Sequence, residues 1–264
     1  MSLEPEPPLG RLLRIMARLR DPVSGCEWDR AQSFGTIAPY TIEEAYEVAD
    51  AIERGDLAAL RDELGDLLLQ VVFHSRIAEE AGLFDFAAVA AAIGDKMEAR
   101  HPHIFSDTPD AGQSREDRWE ALKAKERRAK GSTSALDGVA LALPALIRAE
   151  KLQKRAARQG FDWPDIDGPA AKVVEEMDEL AAAETGLERA EEAGDLLFAA
   201  VNLVRAYGIA PEDALRTANL KFERRFRAME QLASGQGQCF EALDLEQQEQ
   251  LWIAVKASEP GKTP

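Results

Sequence analysis

Apolar residues recur at three- and four-residue spacing along most of the chain, in 9–20, 40–53, 57–80, 86–99, 141–158, 170–184, 188–207 and 212–233. That is the period of a helix with one face turned to a core. Alternating runs of Val, Ile and Thr, the mark of a half-buried strand, are nearly absent. The pattern predicts eight main helices and an all-α protein. Breakers fall between them at Asp21-Pro22 with Gly25, Gly55-Asp56, Gly82, His101-Pro102, Trp163-Pro164, Gly186 and Gly208. A highly charged run (ALKAKERRAK) leads into Gly131-Ser132-Thr133-Ser134, which reads as a linker.

The pattern is written twice. Residues 62–73 read DELGDLLLQVVF and residues 191–202 read EEAGDLLFAAVN, with six of twelve positions identical. Upstream of each lies E-E-x-x-E, as Glu43-Glu44…Glu47 and Glu175-Glu176…Glu179; downstream lies K-x-E-x-R, as Lys96…Arg100 and Lys221…Arg225. Three elements in one order make a tandem repeat of one helical unit. The expected domains are 1–130 and 138–264, joined by 131–137. The interval from Glu47 to Glu63 is 16 residues and that from Glu179 to Glu192 is 13, which predicts a loop three residues shorter in the second copy.

Residues i, i+3 and i+4 share a helix face. Glu44 and Glu47 are therefore neighbours, as are Glu63 and Asp66, Glu176 and Glu179, and Glu192 and Asp195. A short loop makes consecutive helices antiparallel, so each unit can bring four carboxylates together across one helix pair. Asp66 and Asp195 each precede Leu-Leu, in a stretch expected to be buried, where an unpaired carboxylate is costly. The natural remedy is a hard divalent cation with oxygen ligands such as Mg²⁺. Lys221 and Arg225, at i and i+4, add an ammonium and a guanidinium suited to phosphates.

Other constellations carry less. His101-Pro102-His103 has no counterpart in the second copy and reads as a loop. Pro260-Gly261-Lys262-Thr263 imitates the end of a phosphate loop but lacks its first glycine. Trp28 and Trp163 each precede an acidic helix and could stack a base, but read rather as staples at the helix start. Trp252 and Lys256 follow only the second copy, either packed on that unit or forming a lid. No residue obviously reads a base edge.

Charge narrows the partners. Forty-eight acidic against 32 basic residues give a net of −16, a field that repels a DNA or RNA backbone. Cys26 and Cys239 alone offer neither a disulfide framework nor a zinc spacing. No signal peptide or membrane span is evident, so a soluble cytoplasmic protein is expected. Two readings remain: an enzyme whose acids converge beneath a cavity, or a non-catalytic helical interaction protein whose acidic faces point to solvent.

The paired E-E-x-x-E and E-x-x-D elements, with Leu12-Leu13-Arg14-Ile15-Met16, Gly25-Cys26-Glu27-Trp28-Asp29 and Lys221-Phe222-Glu223-Arg224-Arg225-Phe226, resemble the MazG family in its two-copy bacterial form. The resemblance implies hydrolysis of nucleoside triphosphates of many bases to monophosphate and pyrophosphate with Mg²⁺, Mn²⁺ being able to substitute, by a homodimer. It implies that Glu176, Glu179, Glu192 and Asp195 are the metal ligands. It places Glu175, Glu191, Lys221, Arg225, Trp252, Lys256 and Lys123 on the nucleotide, and makes the second copy the main catalytic one. Glu44, Glu47, Glu63 and Asp66 form a second, weaker candidate metal site.

Overall fold

A computed structural model of the chain describes residues 7–105 and 131–259. Lys123 and the 260–263 motif lie outside them. The chain divides into two compact units, 1–122 and 123–264. Every regular element among the described residues is helical, in agreement with the expected all-α class.

The first unit contains α1 (Pro8–Leu19), α2 (Glu27–Ala31), α3 (Phe34–Arg54), α4 (Leu57–Glu80), α5 (Phe86–Arg100) and α6 (Pro102–Phe105). The turn after α1 is tied by Asp21, whose Oδ1 accepts from the backbone N–H groups of Val23 and Ser24 at 3.0 and 2.7 Å. Gly25 is required there, because a Cβ would lie 2.4 Å from the carbonyl oxygen of Leu19. The apolar period of the sequence places the start of α3 at residue 40. A capping box at Ser33 and Thr36 instead starts it at Phe34 and carries Pro39 inside. Gly55, at φ +67°, closes α3, and Asp56 caps α4 by accepting from Ala58 and Ala59. Met16, Ile37, Val72, Phe73 and Ile77 form the core between α1, α3 and α4.

The second unit contains α7 (Ala145–Ala157), α8 (Asp167–Ala182), α9 (Gly186–Ala206), α10 (Pro211–Gly235), a 3-10 turn (Phe240–Ala242) and α11 (Leu245–Ser258). Thr185 and Glu188 form the capping box of α9, and Asp244 and Gln247 that of α11. Met229, Ala233, Leu251 and Val255 pack α10 against α11. Part of the stretch expected to be a linker is ordered against this unit. Asp137 accepts from the N–H groups of Thr133 and Ser134, and Arg155 of α7 donates to the carbonyl of Ala135.

Two expectations need correction. The three-residue difference between the copies is not in the loop. α3 runs seven residues past Glu47 to Arg54, whereas α8 stops three past Glu179 at Ala182, and the second connection is one residue longer than the first. About one helical turn is gone, which keeps the acids on the same face. The stretch around the second acidic helix is also not fully buried. Asp66 and Asp195 are exposed, as are Leu68 and Leu197, at 39% and 62%. Among the described residues no single helix is long and apolar enough to cross a membrane.

Candidate active site

In the second unit, three-residue spacing on α8 sets Glu176 and Glu179 on one face, and the Thr185 capping box turns α9 back so that Glu192 meets them. One oxygen from each of Glu176, Glu179 and Glu192 lies within 4.8 Å of the others. The Glu192 carboxyl titrates above its ordinary range, first because it loses hydration, then because Glu179, Glu176, Asp195 and Glu191 surround it with negative charge. Glu176 is the buried member, 4% exposed. Lys172, one turn earlier, reaches its Oε1 at 2.7 Å and Glu175 at 3.0 Å. Those carboxylates raise the affinity of Lys172 for its proton, Glu176 foremost. The other oxygen, Glu176 Oε2, is buried without a hydrogen-bond partner.

A cavity of about 510 Å³ opens beside this cluster, lined by Glu176, Asp195 and Lys172 and by Phe161, Trp163 and Phe198. Trp163 lies directly over Gly168 near the start of α8, where a Cβ would sit 1.9 Å from the ring. Trp163 thus packs at the helix start, as expected, and also lines the cavity. Gln153 of α7 and Asn202 of α9, both 7% exposed, also line it, with Asp162 and Arg205. Arg205 donates to Asn202 Oδ1 at 2.9 Å and to Asp162 at 2.7 and 3.1 Å, and that guanidinium holds the Asp162 carboxyl below its usual range.

The expected cations are placed elsewhere. Lys221, Arg225, Trp252 and Lys256 do not line the cavity. Arg225 is 7% exposed, stacks over the Trp252 ring at 5.4 Å and is bound by both oxygens of Glu259 at 3.0 and 2.6 Å. Glu175, Glu191, Lys221 and Lys256 are exposed. Sequence reasoning missed Lys172, Gln153, Asn202 and the Asp162–Arg205 pair. One signal was present: Asn202 stands where the first copy has Phe73.

The first unit repeats the carboxylates. Glu44, Glu63 and Asp66 approach within 4.8 Å. Lost hydration and then neighbouring acids push the Glu44 and Glu63 carboxyls upward, Asp66 foremost for Glu44 and Glu47 for Glu63. Gln70 donates to Glu44 Oε1 at 3.4 Å. Phe73 is in the core, and Trp28 packs edge-on against it, with ring centroids 6.4 Å apart.

An acidic helical hairpin written twice, with one carboxylate buried in the second copy, is matched by models of helical nucleotide pyrophosphohydrolases. Residues 32–105 match the MazG nucleotide pyrophosphohydrolase domain and residues 146–221 match the phosphoribosyl-ATP pyrophosphohydrolase domain. The chain is 51% identical over 257 residues to the nucleoside triphosphate pyrophosphohydrolase of Escherichia coli strain K12, covering 95% of this chain and 98% of that protein. It is 43% identical to the nucleoside triphosphate pyrophosphohydrolase/pyrophosphatase MazG of Thermotoga maritima, over 94% of this chain and 95% of that one. The chain belongs to the MazG family.

Proposed function

We propose that this MazG-family enzyme hydrolyses nucleoside triphosphates to monophosphate and pyrophosphate at the carboxylate cluster of the second unit, with Mg²⁺ as the natural ion and Mn²⁺ able to replace it. The observation that carries the reading is Glu176: a buried carboxylate with one unpartnered oxygen, set among like charges at the edge of a cavity. An oxygen-only donor set fits a hard divalent cation and disfavours Zn²⁺. Glu176, Glu179 and Glu192 would hold the ion, with Asp195 beside them. Such an ion neutralises phosphate charge and aligns an attacking water.

The chain's own residues do the rest. Trp163 and Phe198 offer flat apolar surface to a base, and base–aromatic stacking contributes roughly 1–3 kcal/mol. Lys172 steadies Glu175 and Glu176 and keeps a cation next to where phosphate would lie. The resemblance assigns phosphate and nucleotide contacts to Glu175, Glu191, Lys221, Arg225, Trp252, Lys256 and Lys123. For Arg225, that role requires exchanging the Glu259 carboxylate for phosphate. Breadth of base specificity, the homodimer and a cytoplasmic location belong to the same proposal. The dimer is supported by apolar side chains bared on α8–α10, including Met177 at 55%, Leu187 at 86% and Phe222 at 58%. A reducing compartment suits two exposed free cysteines.

Product analysis with several triphosphates and Mg²⁺ tests the reading. Pyrophosphate and monophosphate are expected as first products; orthophosphate first would refute it. Thermal melting gives a second measure, because an ion at one hundred times its dissociation constant stabilises by about 2.7 kcal/mol.

A further inference from the structure

We infer that Gln153 and Asn202 form a base-reading edge in the second unit's cavity, a fixed acceptor beside a fixed donor. It accepts any nucleobase that presents an N–H group next to a lone pair and rejects bases that lack the N–H. This rests on the reading that the cavity receives the nucleotide's base.

Both amides are fixed in orientation. Gln153 Nε2 donates to the carbonyl oxygen of Phe198 at 2.8 Å, which makes Oε1 the free end. That oxygen is buried and has no hydrogen-bond partner. A buried acceptor left unpaired is costly, so the site waits for a donor. Asn202 is set the opposite way. Its Oδ1 accepts from Nε and Nη2 of Arg205, which leaves Nδ2 as its free end. Arg205 is held in turn by Asp162. Phe198 and Asn202 are four residues apart on α9, roughly 6 Å along the axis. The Gln153 amide, docked on the Phe198 carbonyl, is therefore the neighbour of the Asn202 amide, and both line the cavity with Trp163 and Phe198.

Adenine (N6–H beside N1), cytosine (N4–H beside N3), guanine (N1–H beside O6) and uracil (N3–H beside O4) all match such a pair. The edge therefore does not choose among the standard bases. It does exclude a base whose edge carries acceptors only. Purine riboside, which is adenosine with hydrogen in place of the exocyclic amine, is that base.

The test is calorimetric binding of AMP and of purine riboside 5′-monophosphate to the Mg²⁺-loaded full chain, as wild type, Gln153→Leu and Gln153→Met. Wild type is expected to bind AMP roughly tenfold tighter than the purine riboside nucleotide. Both variants are expected to bind the two alike, because the missing amine and the missing acceptor are the same interaction. Loss of fold would weaken both ligands together and leave no ratio to collapse, and Gln153→Met, the closer mimic of glutamine's shape, guards against it. Equal binding of the two nucleotides by wild type overturns the proposal, as does an unchanged ratio in both variants. A loss on removing the ribose 3′-hydroxyl of AMP, with none on removing the amine, would assign Gln153 to the sugar and also overturn it. Pyrophosphate release from ATP is assayed alongside. Its absence would unseat the catalytic reading, whereas the binding ratio reports on the base edge itself.

Discussion

The two acidic hairpins share their carboxylates and differ in what stands behind them. Behind Glu44, Glu63 and Asp66 the first unit places Phe73, buried with Met16, Ile37, Val72 and Ile77. Behind Glu176, Glu179 and Glu192 the second unit places Asn202 and a cavity of about 510 Å³. Gln70 sits on Glu44 in the first copy, and Lys172 holds Glu176 in the second. A duplicated unit can thus keep the residues that gather charge while the position behind them becomes a core ring in one copy and a cavity-lining amide in the other. Acids alone do not distinguish the copies; the residue behind them, Phe73 or Asn202, does.

Breaking the carboxylates separately should give the largest difference. Asp195→Asn is expected to lower pyrophosphate release on the order of 10³-fold, whereas Asp66→Asn leaves most of it, with circular dichroism confirming both folds. Equal damage from the two would make this a two-site enzyme. Phe73→Asn is expected to destabilise the first unit by about 3 kcal/mol in urea unfolding, because a buried ring is replaced by a smaller polar group. The reverse exchange, Asn202→Phe, takes an acceptor from Arg205 and should cost about 1–2 kcal/mol of stability while weakening nucleotide binding at least tenfold. A first unit that tolerates Phe73→Asn without loss would mean that the ring contributes little to its core.

Gly168→Ala sharpens the role of Trp163. The added methyl displaces the ring, so nucleotide affinity should fall several-fold by calorimetry while the melting temperature moves little. The smallest effect concerns Glu259, whose carboxyl Arg225 and Arg224 hold at about 2, below its usual 4.5. A depressed acid stabilises the fold above its unfolded value and loses that contribution as pH falls toward the folded one. The stability difference between wild type and Glu259→Gln should therefore be present at pH 6 and fade between 4.5 and about 2. A difference that persists at low pH would show that the carboxylate acts by shape rather than charge.

Much of this was legible in spacing. The helix at 57–80 has the bounds its periodicity gives, and the paired acids meet as the three-residue interval requires. The apolar period begins at residue 40 and misses the first six residues of α3, which a capping box at Ser33 and Thr36 adds upstream. Burial around Asp66 and Asp195 was misjudged, because an apolar run specifies a sticky face without saying whether its own chain covers it. Lys172 left no trace in the repeat, since Tyr40 stands at its place. Gln153 was invisible for another reason. An amide's meaning lies in which end is already bonded, and the partner here is a backbone carbonyl 45 positions away.

The two- and three-residue connections of the acidic hairpins also bear on how the chain folds. Helices joined so closely find one another early, since little chain has to be closed into a loop. The facing carboxylates are then expected to meet in the folding barrier, where their repulsion would slow the step. Divalent cations should then speed refolding in stopped-flow measurements as well as slow unfolding, so that the ion which serves chemistry in the finished protein also acts as a counterion during its assembly.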